Sequence, residues 1–173
     1  RAVAATLREG RADVGIFVEG PDTTGLDVQD FRRDELVLVL PAGHRLAGKT
    51  PVAFADTLDE EWISLTAGAA MLQKQQEAAL AAHRPLRLRM QVRSFDAVCH
   101  MVASGLGLAI LPRAACLPML RSMKLSTRPL ADAWAQRRLL MATVAAQPDP
   151  AVQALCGFLA EPSQKTKRQS PKR

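Results

Sequence analysis

The sequence predicts an α/β fold of open sheets arranged in two lobes, and three observations predict it. Helical and strand patterns alternate along the whole chain, as in crossover units that lay helices onto a sheet. Two strands, Ala12–Val18 ("ADVGIFV") and Glu35–Leu40 ("ELVLVL"), are nearly unbroken apolar runs, which suits a sheet covered on both faces. Third, Val102–Pro112, "VASGLGLAILP", sets two glycines between a helix and a strand. A phosphate-cradling loop needs the reverse order, strand, then glycines, then helix. These glycines therefore read as a tight helix-to-strand joint and not as a nucleotide site.

The elements follow in order. Val3 and Leu7 share a helix face, and Gly10 stands where that helix would take a left-handed cap. After the strands 12–18 and 35–40, Pro41 and Gly43 open a loop, with a helical turn expected near Phe54–Leu58. Trp62–Leu65 is a short strand, and Thr66–Ala70 leads into a helix to about Ala82. Leu86–Arg93 alternates strictly, with Arg87, Arg89 and Arg93 on one face, the pattern of an edge strand with a solvated row. Ser94 caps a helix carrying Phe95, Val98, Cys99, Met101 and Val102 at helical spacing, and Asp96 complements its dipole. Gly105 follows that helix, Gly107–Leu111 is a strand, and Pro112 starts a helix that Pro118 should cut short. Arg137–Val144 is the last strand. Pro150–Leu159 is the last helix, with Val152, Leu155 and Cys156 expected on its inner face.

The chain has 173 residues, is 48% hydrophobic and carries a formal charge of +6. The last eleven residues, "SQKTKRQSPKR", hold five of the 23 basic residues and no acid, which leaves 18 basic against 17 acidic in the body. That near-neutral body has no nucleic-acid footprint of its own. Residues 162–173 read as a disordered basic tail. Aromatics are only 4%, with no Tyr, so stacking platforms are not expected. Cys99, Cys116 and Cys156 are widely spaced and odd in number, which argues for a reducing compartment and against a disulfide scaffold or a zinc site. No apolar run reaches the roughly 20 residues that span a bilayer. No cofactor or metal ligand set is expected.

Two lobes account best for this order: residues 1–40 with 137–161 as lobe I, and 41–136 as lobe II. The chain would cross between them at Leu40-Pro41 and near Ala135-Gln136, which are the expected hinge. In open α/β sheets, ligands settle beyond the carboxyl ends of strands, where helix N-termini point. That rule selects Phe17 and Val18, then Thr66, Ala67, Gly68 and Ala69, then Ser94 and Phe95 as effector contacts. Thr66 can donate a hydroxyl, and the small residues behind it let backbone N–H groups approach an anion, so a carboxylate-bearing ligand is expected there. Asp96 would disfavour an anion at the other helix start.

Four stretches carry a family resemblance: "LREGRADVGI" (7–16), "DELVLVLPAGHRLAGKTPVAFADTLDEEWISL" (34–65), "VASGLGLAILP" (102–112) and the strand–helix end 137–160. In order and spacing they resemble the effector-binding domain of LysR-type transcriptional regulators, over about 160 residues. Arg45 departs from the family pattern, in which proline usually follows the histidine, and Pro118 interrupts a helix. The resemblance implies a two-lobed, periplasmic-binding-protein-like (type 2) fold holding a small effector between its lobes. It also implies a homo-oligomer (dimer or tetramer) in the cytoplasm. On that reading the first lobe is incomplete at its N-terminus, and DNA would be reached only through an N-terminal winged helix-turn-helix absent from this sequence. No membrane partner is implied.

Catalytic motifs such as GxSxG or HExxH are absent, His44, His83 and His100 are isolated, and Asp59-Glu-Glu61 reads as a solvated acidic turn, so no enzyme is expected. A transporter's solute-binding protein of the same fold type is the alternative. An enzyme on such a scaffold, an aromatic-acid dehydratase for example, would need clustered polar groups, and the selected segments supply only Thr66, Ser94 and Asp96. A truncated gene product would expose a sheet edge and apolar surface.

Overall fold

The computed structural model describes residues 2–20, 22–66, 69–144 and 149–160. Its elements run α1 (Ala2–Arg8), β1 (Val14–Val18), β2 (Leu26–Pro41), a 3-10 turn (Phe54–Thr57), β3 (Trp62–Leu65), α2 (Ala69–Ala81) and β4 (Leu88–Val92). Then follow α3 (Phe95–Ala103), β5 (Ala109–Pro112), α4 (Arg113–Leu120), β6 (Leu125–Pro129), a second 3-10 turn (Ala133–Ala135), β7 (Gln136–Val144) and α5 (Pro150–Ala160). The tail from 162 onward lies outside the described residues. The chain divides into two units, Arg1–Arg32 with Arg138–Arg173, and Arg33–Arg137.

In the first unit, β1 pairs antiparallel with β7, Val14 facing Thr143 and Val18 facing Leu139. On the far side of β7 comes β2. Leu7 of α1, Phe17, Leu140 and Ala142 form its core. Arg138 on β7 reaches Glu19, just past β1, at 2.8 Å and Asp30, within β2, at 2.6 Å, tying the three strands together.

In the second unit, β2 pairs antiparallel with β5 on one side and with β6 on the other, so Leu38 lies between Ile110 and Arg128. Among the described residues, parallel pairing, which helix–strand alternation leads one to expect throughout, is seen between β3 and β4 and at the bridges Val52–Leu130 and Trp62–Leu108. β2 and β7 carry the chain across the division, and outgoing and returning strands run against their neighbours. Phe54, Trp62 and Trp134 meet on one side of this sheet, Phe54 lying 5.1 Å from Trp62 and 5.7 Å from Trp134 between ring centroids. On the other side, α3 and α4 bury Val98, Cys99, Val102 and Cys116 with Ile63 and Leu111. Asp132 accepts the Phe54 N–H at 2.7 Å, fastening the return of the chain to the first 3-10 turn.

The glycine joint is resolved in full. Gly105 follows α3 at φ +72°, and its N–H donates to Val102. Gly107 sits at φ +154°, where a Cβ would lie 2.7 Å from the Glu61 carbonyl oxygen. That close approach lets the Leu108 N–H donate to Glu61 and the Ile63 N–H donate to Leu108, both at 2.8 Å.

Three expectations need correction, and the bounds of the two compact units differ from those of the expected lobes. Strand β2 starts at Leu26, not Glu35. Its first half alternates polar and apolar, and pairing rather than continuous burial makes it a strand. Helix α4 runs two residues past Pro118 to Leu120; the proline forgoes only one late hydrogen bond there, so it marks the last turn instead of ending the helix before it. In α5 the inward residues are Val152, Cys156 and Leu159, whereas Leu155 is exposed, because the helix is rotated from its expected setting. The division falls at Arg32/Arg33 and Arg137/Arg138. Leu40 is a core residue of the second unit, Pro41 ends β2 within it, and Ala135 and Gln136 also belong to it. The apolar run 36–40 is needed there to fill the sheet.

Gly107→Ala is expected to destabilise the chain by about 2 kcal/mol, through an unfavourable backbone setting and displacement of β5 from β3. Thermal unfolding followed by circular dichroism measures it, and Gly43→Ala, where a Cβ meets nothing within 4 Å, serves as the control with little change.

Candidate functional site

The carboxyl ends of β3 and β4 lie side by side in the second unit. Leu65 pairs with Val92, and both the Thr66 N–H (2.8 Å) and the Thr66 hydroxyl (3.2 Å) donate to the Val92 carbonyl. Every residue of β3 is buried, so Thr66 is where that strand first meets solvent. Helix α2 starts three residues later, at Ala69. Helix α3 starts at the end of β4: the Ser94 side chain accepts the Ala97 N–H at 3.2 Å. Two helix N-termini therefore stand at adjacent strand ends, a setting that favours negative charge.

Of the expected contacts, Thr66, Ser94 and Phe95 are exposed at this edge. Ala69 is the first residue of α2, and Ala67 and Gly68 lie outside the described residues. Ser94 acts as the helix cap with its oxygen and keeps its hydroxyl proton for another acceptor. Asp96, in the first turn of α3, lies 3.6 Å from His100 Nε2 on the next turn. In the first unit, Val18 is exposed, but Phe17 is 8% exposed and packs in the core with Leu7 and Leu140. Strand alternation sends Phe17 inward and turns Val18 out.

One residue passed over at the sequence level belongs to this edge. Arg93, between Val92 and Ser94, is exposed and makes no ion pair among the described residues. The sequence shows it as one of a row of strand arginines; its neighbours Arg87 and Arg89 turn out to be engaged, donating to Asp59 and Leu106 carbonyls. Its place beside an N-cap is the signal that separates it.

The acidic turn is not freely solvated. Asp59 pairs with Arg84, and Glu60, its side chain 18% exposed, faces both Arg45 and His44 Nε2 (3.5 Å). Basic groups from the preceding loop and the end of α2 converge on it. His44 accepts the Leu46 N–H on Nδ1, and His83 ends α2 in a left-handed conformation at φ +53°, so both histidines have structural tasks. Among the described residues no group of three or more His, Cys, Asp or Glu is placed to hold a metal.

The LysR substrate binding domain profile matches residues 1–163. The chain belongs to that family. Among curated relatives, the probable HTH-type transcriptional regulator LrrA of Synechococcus elongatus is 31% identical over 119 residues, covering 69% of this chain and 40% of the relative. The HTH-type transcriptional regulator CysL of Bacillus subtilis is 23% identical over 112 residues, 65% of this chain and 38% of the relative. The chain thus spans about 40% of the length of these relatives. Among solved structures, the regulatory domain of Synechocystis PCC6803 CcmR in complex with 2-PG superposes with a TM-score of 0.78 at 22% identity, over 92% of this chain and 77% of that one. The effector binding domain of QuiR in complex with shikimate gives 0.73 at 17% identity, over 92% and 75%. These likenesses establish a periplasmic-binding-protein-like α/β fold for this LysR domain.

Burial pushes the Cys99 thiol up to about 11 and raises that of Cys116 as well; the two also face each other across the α3–α4 interface. A raised pKa withholds the reactive thiolate. Iodoacetamide at about pH 8 is therefore expected to leave Cys99 and Cys116 unmodified in the native chain and to alkylate both after denaturation, as read by peptide mass spectrometry.

Proposed function

We propose that this domain is the effector sensor of a LysR-type transcriptional regulator, and that it binds a small carboxylate at the β3–β4 edge. The observation that carries this reading is the joint placement of Thr66 and Ser94, beside the starts of α2 and α3, with the unpaired Arg93 next to them. The Ser94 hydroxyl proton, a Thr66 hydroxyl that would turn from the Val92 carbonyl to the ligand, two helix N-termini and one guanidinium make a setting that favours an anion. Relatives named as transcriptional regulators support the regulatory role, and structural neighbours holding 2-PG and shikimate support a small-molecule ligand. Asp96 tempers the edge near α3, so the anion belongs nearer Thr66 and the start of α2.

Effector binding would act by linkage, shifting the population toward the conformation that binds it better by no more than the difference in affinity. Couplings of this kind are typically about 1–3 kcal/mol. In the full-length regulator, a cytoplasmic homo-oligomer on this reading, that shift would reposition DNA-binding segments outside this sequence.

Isothermal titration with a panel of small carboxylates, shikimate and 2-PG included, tests the site. Thr66→Val and Arg93→Ala are each expected to weaken the binding member about tenfold, as loss of one charge-assisted hydrogen bond does. Unchanged affinity in both variants, or binding of none of the panel, would contradict the proposal.

A further inference from the structure

Helix α2 packs on β3, and the seam between them is polar where a helix–sheet interface is ordinarily apolar. The inward stripe of α2 runs Met71, Gln75, Ala78, Ala79 and Ala82, and its methionine and alanines pack against the cluster that holds Trp62. Gln75, one turn from Met71 and one from Ala79, is 2% exposed. On the strand, Ile63 and Leu65 face the opposite cluster, so alternation puts Ser64, 5% exposed, on the Trp62 side beneath the helix. Gln75 Nε2, Ser64 Oγ and Trp62 Nε1 are all buried without a hydrogen-bond partner among the described residues. Burying unpaired polar groups costs free energy. The stripe itself offsets little of that cost, because alanines bury small areas, whereas α3 seats Val98, Cys99 and Val102. The outer face of α2 is satisfied by contrast: Gln73 and Lys74 both donate to Glu77.

We propose that α2 has two seatings on β3. In the one described here the seam is open. In the second, a small displacement of the helix lets Gln75 bridge the strand, its amide oxygen accepting the Trp62 indole N–H and its NH2 donating to the Ser64 hydroxyl oxygen. The three groups suit one another: an indole that only donates, a hydroxyl, and an amide that does both. A helix with few large apolar contacts is the kind of element that moves. Strand β3 runs from Ser64 into Thr66, and α2 starts at Ala69, so a ligand at that edge would touch both partners of the seam. A ligand that binds the closed seating better would populate it. This coupling rests on the effector reading above; the two seatings do not.

Relaxation dispersion on the isotope-labelled chain, which reads exchange in the microsecond-to-millisecond range, tests the seatings. Exchange is expected at the amides of α2 and at the Trp62 indole N–H, with none at the amides of α3. Gln75→Met, which conserves volume, and Ser64→Ala should each abolish it. Each also removes an orphaned group, so Tm should rise by about 3 °C in both. Flat dispersion across α2, dispersion that persists in either variant, or a fall in Tm in either would overturn the two seatings. The carboxylate that binds the chain should bind Gln75→Met about fivefold more weakly, and equal affinity would overturn the coupling. Binding of no carboxylate would overturn the effector reading and the coupling with it, while dispersion would still decide the seatings.

Discussion

Between the Glu61 carbonyl and the backbone of Gly107 there is no room for a side chain, and the second unit is organised around that approach. It brings β5 against β3 closely enough for two backbone hydrogen bonds to form between them. With β5 fixed on one side and β4 on the other, β3 is fully buried, and its end projects Thr66 beside Val92. The placement of the candidate site is thus a consequence of sheet packing one strand length away. A glycine in the loop after α3 sets the position of an edge to which it contributes no atom.

Charge plays a different part in this unit. Arg137 pairs with Asp34 where the two crossing strands enter it, in a half-buried position that screens poorly. Glu60 collects Arg45 and His44, and Asp59 takes Arg84, so the turn before β3 is tied to the loop after β2 and the end of α2. Exposed pairs of this kind contribute little to stability individually. Their use is in register: they fix which loop meets which helix end, and leave Arg93 free at the opposite end of β4.

Much of this architecture was legible in the residues. Ser94 as cap, Gly105 past the end of α3 and Pro112 before α4 carry local rules strong enough to be read one residue at a time. The order of helix, Gly-x-Gly and strand was enough to exclude a phosphate loop. What escaped were features decided by partners distant in sequence. Leu26–Arg33 and Leu125–Pro129 become strands through pairing, and "LSTRP" has little apolar signal of its own. The division of the chain falls at arginines rather than at the proline that ends β2, since burial of Leu36–Leu40 outweighs the local break. Phe17 and Val18 were selected together by position, whereas strand ends alternate inward and outward and of the two Val18 faces out.

Membership in the LysR substrate-binding family rests on the match across 1–163, and the fold on superposition with regulatory domains. Where this domain would hold an anion is a separate matter, and the proposed reading puts it at the β3–β4 edge. A crystal structure grown with the member of the carboxylate panel that binds measures it most directly. The account predicts carboxylate oxygens within hydrogen-bonding distance of the Thr66 hydroxyl or the first N–H groups of α2, with the Arg93 guanidinium turned toward them. A ligand seated elsewhere, or one whose carboxylate points into solvent away from Thr66, would contradict it.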